Sequence, residues 1–181
     1  EPNDPDMMSL ITQFAVDVCG CTRWWSEDSF ISLTRAHIQD LAGEGRALCV
    51  MSGGLDSGVT ALLAHRALGE RLTCVFVDTG LLRENDVIEF SAYYKGMGLN
   101  LQIIKAEEQV MAALAGKTGQ ADKRDALRHI LQEVLREFGK TLDYSLLVES
   151  KSSDYLFSNN LPSTSTSVLA QGVQTFAPLS D

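Results

Sequence analysis

The sequence predicts an α/β fold, an open and mainly parallel twisted sheet with helices on both faces, and three observations carry that prediction. Between residues 46 and 148, short uncharged runs alternate with longer amphipathic ones, the pattern of repeated strand–helix–strand units. Two of the short runs, Ala47–Met51 and Leu72–Val77, are almost wholly apolar, as strands covered on both faces must be. Each is followed by a glycine turn, Ser52-Gly53-Gly54 and Asp78-Thr79-Gly80. Both turns therefore fall at the carboxyl end of a parallel sheet, where ligands collect.

The acidic start, residues 1–9, reads as a disordered tail. Leu10, Ile11, Phe14, Ala15 and Val18 then recur at helical spacing, and Gly20 ends that helix. Ser26-Glu27-Asp28 supplies a cap with acidic first-turn residues for a second helix running toward Leu41, and Trp24 and Trp25 read as packing anchors in the joint. From there the expected elements are strand 46–51, helix 57–68, strand 72–77, helix 84–96, strand 99–104 and helix 107–115. The helix after the first strand carries Val59, Leu62, Leu63 and Leu68. The half-alternating Leu99–Ile104 suits a strand near an edge. Residues 116–124 form a glycine-bounded basic loop, read either as a lid or as a solvated turn, and lead into a helix with Leu127, Ile130, Leu131, Val134, Leu135 and Phe138. Tyr144–Val148 is a fourth strand; beyond it, Ser152–Phe157 reads as a short helix and Leu161–Ser167 as a polar loop. The expected organisation is one domain over 10–181: a helical lead-in 10–45, a βαβ nucleotide-binding core 46–150 and a segment 151–181.

Composition narrows the function. A chain of 181 residues, 45% hydrophobic, can bury one good core. Its net charge of −9 argues against a general nucleic-acid surface, which needs lysine and arginine to neutralise phosphates. The acidic start is unlike a secretory leader and no apolar run is long enough to span a bilayer, so a cytoplasmic location and no membrane partner are expected. Four cysteines in a chain with such a core do not make a disulfide framework: Cys49 and Cys74 read as small core residues, and Cys19-Gly20-Cys21 lacks a second pair with which to cage zinc.

The turn Ser52-Gly53-Gly54-Leu55-Asp56-Ser57-Gly58 carries the chemistry. Adjacent glycines let the backbone approach an anion, and the first N–H groups of the following helix point at it without internal partners. No lysine follows the glycines; Asp56 does. A carboxylate beside polyphosphate needs a divalent cation between them, so Asp56 is the candidate Mg²⁺ ligand and ATP the candidate guest. The competing reading is an ordinary helix start, with Asp56 complementing the dipole and Ser52 or Ser57 capping.

These residues resemble the ATP pyrophosphatase domain of GMP synthetases, within the N-type ATP pyrophosphatases (the PP-loop, adenine nucleotide alpha hydrolase-like group). The family turn S-G-G-V-D-S is present as Ser52–Ser57, and its F-V-D-x-G-L-L-R as Phe76–Arg83. Leu114-Ala115-Gly116 followed by Lys123-Arg124 matches the L-A-G … K-R lid, and Phe14 … Cys19-Gly20 … Trp25 … Phe30-Ile31 the lead-in. The resemblance implies adenylation of xanthosine monophosphate by ATP, loss of pyrophosphate, and displacement of AMP by ammonia from a glutaminase domain or subunit. It implies binding by Ser52, Gly53, Gly54, Leu55, Asp56, Ser57, Val77, Asp78, Gly80 and Arg83, with Asp56, Ser57, Lys123 and Arg124 acting in catalysis. Adenine would sit against the backbone near Val77. A second copy of the chain is a further candidate partner.

The resemblance thins after residue 138. The lid motif D-P-E-x-K-R-K-x-I-G becomes Thr118–Arg128 with only Lys123 and Arg124 in common, and L-x-Q-G-T-x-x-P-D-x-I-E-S aligns with Leu146–Ser158 through Asp154 and Ser158. A second register uses Leu169–Gly172. Two further readings stay open at this level: a different adenylating amidase or thiolase of the same fold, and a non-catalytic nucleotide-binding module.

Overall fold

The computed structural model describes residues 5–22, 25–150, 169 and 173–179. It contains a five-stranded, wholly parallel sheet in the order β3-β2-β1-β4-β5. The strands are β1 (Ala47–Met51), β2 (Leu72–Asp78), β3 (Leu101–Lys105), β4 (Leu146–Val148) and β5 (Gln174–Phe176). The helices are α1 (Pro5–Gln13), α2 (Glu27–Ala42), α3 (Leu55–Leu68), α4 (Asp86–Gly96), α5 (Glu107–Leu114) and α6 (Gln120–Gly139). The chain winds from β1 outward through β2 to β3, then returns to add β4 and β5 on the other side. The order therefore reverses between β1 and β4, and in such sheets the crevice opens at that reversal.

Period-2 alternation along the strands divides the core in two. Cys49, Met51, Cys74, Phe76, Leu146 and Val148 face Ile38 and Ala42 of α2, Ala61, Ala64 and Leu68 of α3, and Phe90 and Tyr94 of α4. Leu48, Val75, Val77 and Leu147 face Val110 of α5 and Leu135 of α6. Helices thus cover both faces, as expected, and β3 lies at an edge with Gln102 and Lys105 exposed.

Several boundaries differ from the sequence expectation. Strand β3 begins at Leu101, because Leu99 and Asn100 are spent on the turn into it. The buried side of α3 includes Leu63 and Leu68, as expected, and adds Ser57, Gly58, Thr60, Ala61, Ala64 and Ala67, whereas Val59 is exposed. Small residues let this helix lie close to the sheet, and a search for large apolar spacing misses them. The 116–124 loop is shorter than expected: α6 starts at Gln120, and Lys123 donates its N–H to Gly119 O at 3.1 Å. Lys123 and Arg124 therefore belong to a helix, as its fourth and fifth residues. The sequence carries no signal for β5, since Gln174-Thr175-Phe176 is too short to show a period. The helix expected over 152–157, the loop over 161–167 and Trp24 lie outside the described residues.

The described residues up to Leu33 form a compact unit of their own. Its helix starts at Pro5, inside the expected tail, and passes through a π-helical turn, Phe14–Val18, to Gly20 at φ +69°. Trp25 is mostly exposed, with its ring 6.4 Å from Phe30, so it does not act as a buried anchor. The Ser26 cap is present: Ser29 N–H donates to Ser26 Oγ at 3.1 Å, and Ser26 N–H to Ser29 Oγ at 2.8 Å.

Cys49 and Cys74 sit opposite each other in the β1–β2 register, both fully buried. Their mutual thiol hydrogen bond and their burial hold Cys49 well above the usual thiol pKa, which keeps it protonated and unreactive. Cys19 and Cys21 are exposed. A thiol reagent should therefore titrate two cysteines of the native protein rapidly and the other two only in denaturant. Rapid reaction of all four under native conditions would contradict this core.

Candidate functional site

The turn after β1 is held from within by one hydroxyl. Ser57 Oγ, on a residue only 1% exposed, donates to Gly54 O at 2.8 Å and accepts from Ser52 N–H and Ser52 Oγ–H, each at 3.2 Å. Ser52 Oγ also accepts from Gly54 N–H at 3.4 Å. Gly53 adopts φ +85°, a conformation that L side chains rarely take, and Gly54 caps α3 in extended geometry. The amides of Leu55, Asp56 and Ser57 stand in the first turn of α3 and have no intrahelical acceptor. Leu55 and Asp56 point into solvent. The result is an internally braced, donor-rich turn whose partial positive charge favours an anion.

The second wall is the end of β2. β1 pairs with β2 only as far as Met51 opposite Phe76, so Val77 and Asp78 run on without a β1 partner while still pairing with Ile104 and Lys105 of β3. An open stretch of backbone is left beside the turn. Asp78 Oδ1 accepts from Gly80 N–H at 3.1 Å, closing an Asx turn that fixes the bend. Gly80, at φ +69°, lies under Glu107 of α5, where an added Cβ would come within 2.5 Å of Glu107 Cγ. Arg83 is exposed, and its N–H reaches Asp86 Oδ2 at 3.2 Å.

The structure therefore brings Ser52–Ser57 and Val77–Gly80 to adjacent strand ends. It records no contact between either and Lys123 or Arg124. Those two are exposed at the start of α6, on the opposite sheet face from α3, with no side-chain hydrogen bond or ion pair among the described residues. No three His, Cys, Asp or Glu side chains converge as a metal cage among the described residues. A single exposed carboxylate such as Asp56 suits a Mg²⁺ ion that takes its remaining ligands from phosphate oxygens and water.

Sequence reasoning missed two features. Glu149 is buried at 7% exposure at the end of β4, beside the chain reversal, and its N–H donates to Phe176 O at 2.8 Å. An acid ending the apolar run Leu146-Leu147-Val148 was the available signal. The aromatic residues beneath the turn, Phe76, Phe90 and Tyr94, were the other; they belong to two elements and only the fold joins them.

Comparison with known proteins follows the same lines. No family model matches the chain. A GMP synthase [glutamine-hydrolyzing] from Vibrio vulnificus is 39% identical over 136 residues, 75% of this chain and 26% of that protein. One from Photorhabdus laumondii is 41% identical over 129 residues, 71% of this chain and 25% of that protein. Over about three quarters of its length, the chain is homologous to part of the GMP synthases. It spans about a quarter of the length of the curated relatives it matches. Solved structures agree on the fold: an NH3-dependent NAD synthetase from Campylobacter jejuni superposes with TM-score 0.69 at 15% identity, covering 87% of this domain and 68% of that chain. A U34-tRNA thiolase from Methanococcus maripaludis reaches TM-score 0.53 at 16% identity, covering 86% and 61%. Among the described residues, no helix of the domain is long and apolar enough to cross a membrane.

Proposed function

We propose that this domain binds ATP with Mg²⁺, with the triphosphate on the Ser52–Ser57 turn and adenine against the backbone at Val77. In this reading it promotes attack of an acceptor oxygen on the α-phosphorus, with release of pyrophosphate. The observation that carries the reading is the locked turn, whose Leu55–Ser57 amides lack helical partners and face the point where β1 ends. As the bond between α-phosphorus and bridging oxygen breaks, charge builds on the leaving pyrophosphate. The amides meet that charge without reorganising, which is electrostatic rather than nucleophilic catalysis. Magnesium, carried by the nucleotide and held by Asp56, would neutralise part of the same charge. Asp78 and Gly80 shape the adenine side, and Arg83 extends the positive edge.

Kinship with GMP synthases points to the O2 oxygen of xanthosine monophosphate as acceptor. Ammonia from a glutaminase domain or subunit would then displace AMP to give GMP, in the cytoplasm. Pyrophosphate release from ATP and Mg²⁺, measured with and without xanthosine monophosphate, tests this reading. Stimulation by xanthosine monophosphate is the expected result, and release indifferent to it would assign another acceptor. ATP binding with no release would favour a binding module, a reading supported by Val148-Glu149 standing where the family motif has Q-G.

Lys123 and Arg124, exposed and without a side-chain partner among the described residues, suit a closing role toward phosphate. Replacing both by alanine should lower kcat by about tenfold or more with a smaller change in the KM for ATP, because the contact forms on the way to the transition state. Steady-state kinetics decides: an equal effect on both constants would mark a fixed ground-state phosphate site, and no effect would remove them from the mechanism.

A further inference from the structure

The phosphate-binding turn rests on an aromatic column that lies outside its sequence motif. Phe76 at the end of β2, then Phe90 and Tyr94 of α4, stack in series with ring centroids 4.5 Å and 4.7 Å apart. Both ends of the column reach the turn. A Cβ added at Gly53 would lie 3.5 Å from Phe76 Cε2, an ordinary van der Waals contact. A Cβ added at Gly58 would lie 2.1 Å from Tyr94 Oη, where no carbon fits. The tyrosine hydroxyl therefore fills the room that a side chain at position 58 would take. Glycine within a helix is unfavourable for the backbone, so its presence here has a packing reason.

Gly58 is also tied to the turn itself. Its N–H closes the first turn of α3 on Gly54 O at 3.2 Å, and its neighbour Ser57 holds Ser52 and Gly54 through one hydroxyl. Movement at Gly58 thus passes directly to the amides of Leu55, Asp56 and Ser57. We infer that Tyr94 is a positioning residue: packed into the space left by Gly58, it sets the first turn of α3 against the Phe76 end of the column and preorganises the turn for polyphosphate. The inference rests on the nucleotide reading above. Its physical basis is that donors already in place need no ordering when the ligand arrives.

Four full-length proteins test it: the parent, Gly58→Ala, Tyr94→Phe and the double variant. They are compared by Mg–ATP affinity from calorimetry, by amide hydrogen exchange over residues 52–58 and by thermal midpoint. Gly58→Ala should weaken affinity about tenfold and speed exchange in the turn, as overpacking does. Tyr94→Phe should weaken affinity about twofold. The double variant should return to within about threefold of the parent, because phenylalanine vacates the space that the new methyl enters. A double variant no better than Gly58→Ala would overturn the inference, as would a Gly58→Ala protein with parental affinity and exchange. Should Gly58→Ala not fold, Tyr94→Ala serves instead. Faster exchange at 52–58 with β1 and β2 still protected supports the positioning role, and unchanged exchange at 52–58 overturns it. A parent that binds no Mg–ATP would defeat the nucleotide reading instead, and the exchange cycle would still decide the role of the column.

Discussion

Asp56→Asn should reduce Mg²⁺-dependent pyrophosphate release by about a hundredfold or more while leaving the thermal midpoint close to that of the parent. The two halves of that expectation come from different physics. Asp56 is exposed on the first turn of α3 and has no ion pair among the described residues, so its contribution to folding is limited to the helix dipole, about 0.3–1 kcal/mol. In the proposed reaction its contribution to catalysis would be of another order, because a cation beside a leaving pyrophosphate stabilises developing charge by several kcal/mol. Asparagine keeps the shape and the oxygen and loses only the charge. Calorimetry should show nucleotide still binding without magnesium and the magnesium-dependent gain in affinity gone. Unchanged turnover would remove Asp56 from the site.

Ser57→Ala should give the opposite signature, with stability and affinity falling together. The Ser57 hydroxyl is buried and makes three hydrogen bonds, so alanine leaves Ser52 N–H and Gly54 O without their partner. Because Ser52 and Gly54 are exposed, water can take up part of the loss, and each lost hydrogen bond costs about 0.5–1.5 kcal/mol, enough to lower the thermal midpoint by a few degrees in a domain of this size. The turn would then have to be ordered by the ligand, and affinity for Mg–ATP should fall by about tenfold or more. Circular-dichroism melting and calorimetry on one preparation separate the cases. Loss of affinity with an unchanged melt would mean that Ser57 touches phosphate and does not brace the turn.

The contrast between the two residues shows what the sequence made legible. Strands β1 and β2 are apolar runs ended by glycine turns, and both the sheet and the two turns at its carboxyl end can be read from them, as can the kinship with GMP synthases from Ser52–Ser57 and Phe76–Arg83. What could not be read is whatever depends on contacts between elements. Ser57 appears in the motif as one more small polar residue, and only the fold buries it and directs its hydroxyl to both sides of the turn. Gly58 and Tyr94 are 36 positions apart in the numbering and carry no joint pattern, yet the tyrosine hydroxyl lies where a side chain at position 58 would go. The first half of the α3 packing face is hidden because Ser57, Gly58, Thr60, Ala61 and Ala64 are small, while Leu63 and Leu68 in its second half can be read from their spacing. Lys123 and Arg124 read as a loop because Gly116 and Gly119 bracket the start of the segment, whereas Gly119 serves as the N-cap of α6 and releases the chain into the helix. β5 is added to the sheet through pairing with β4, a long-range term that three residues cannot announce.

The most direct test of the account is a crystal structure of this chain soaked with ATP and Mg²⁺. The β- and γ-phosphates are expected within hydrogen-bond distance of the Leu55–Ser57 amides, the cation between those phosphates and Asp56, and adenine along Val77. Nucleotide bound elsewhere on the domain, or a triphosphate that leaves the Ser52–Ser57 turn untouched, would contradict it.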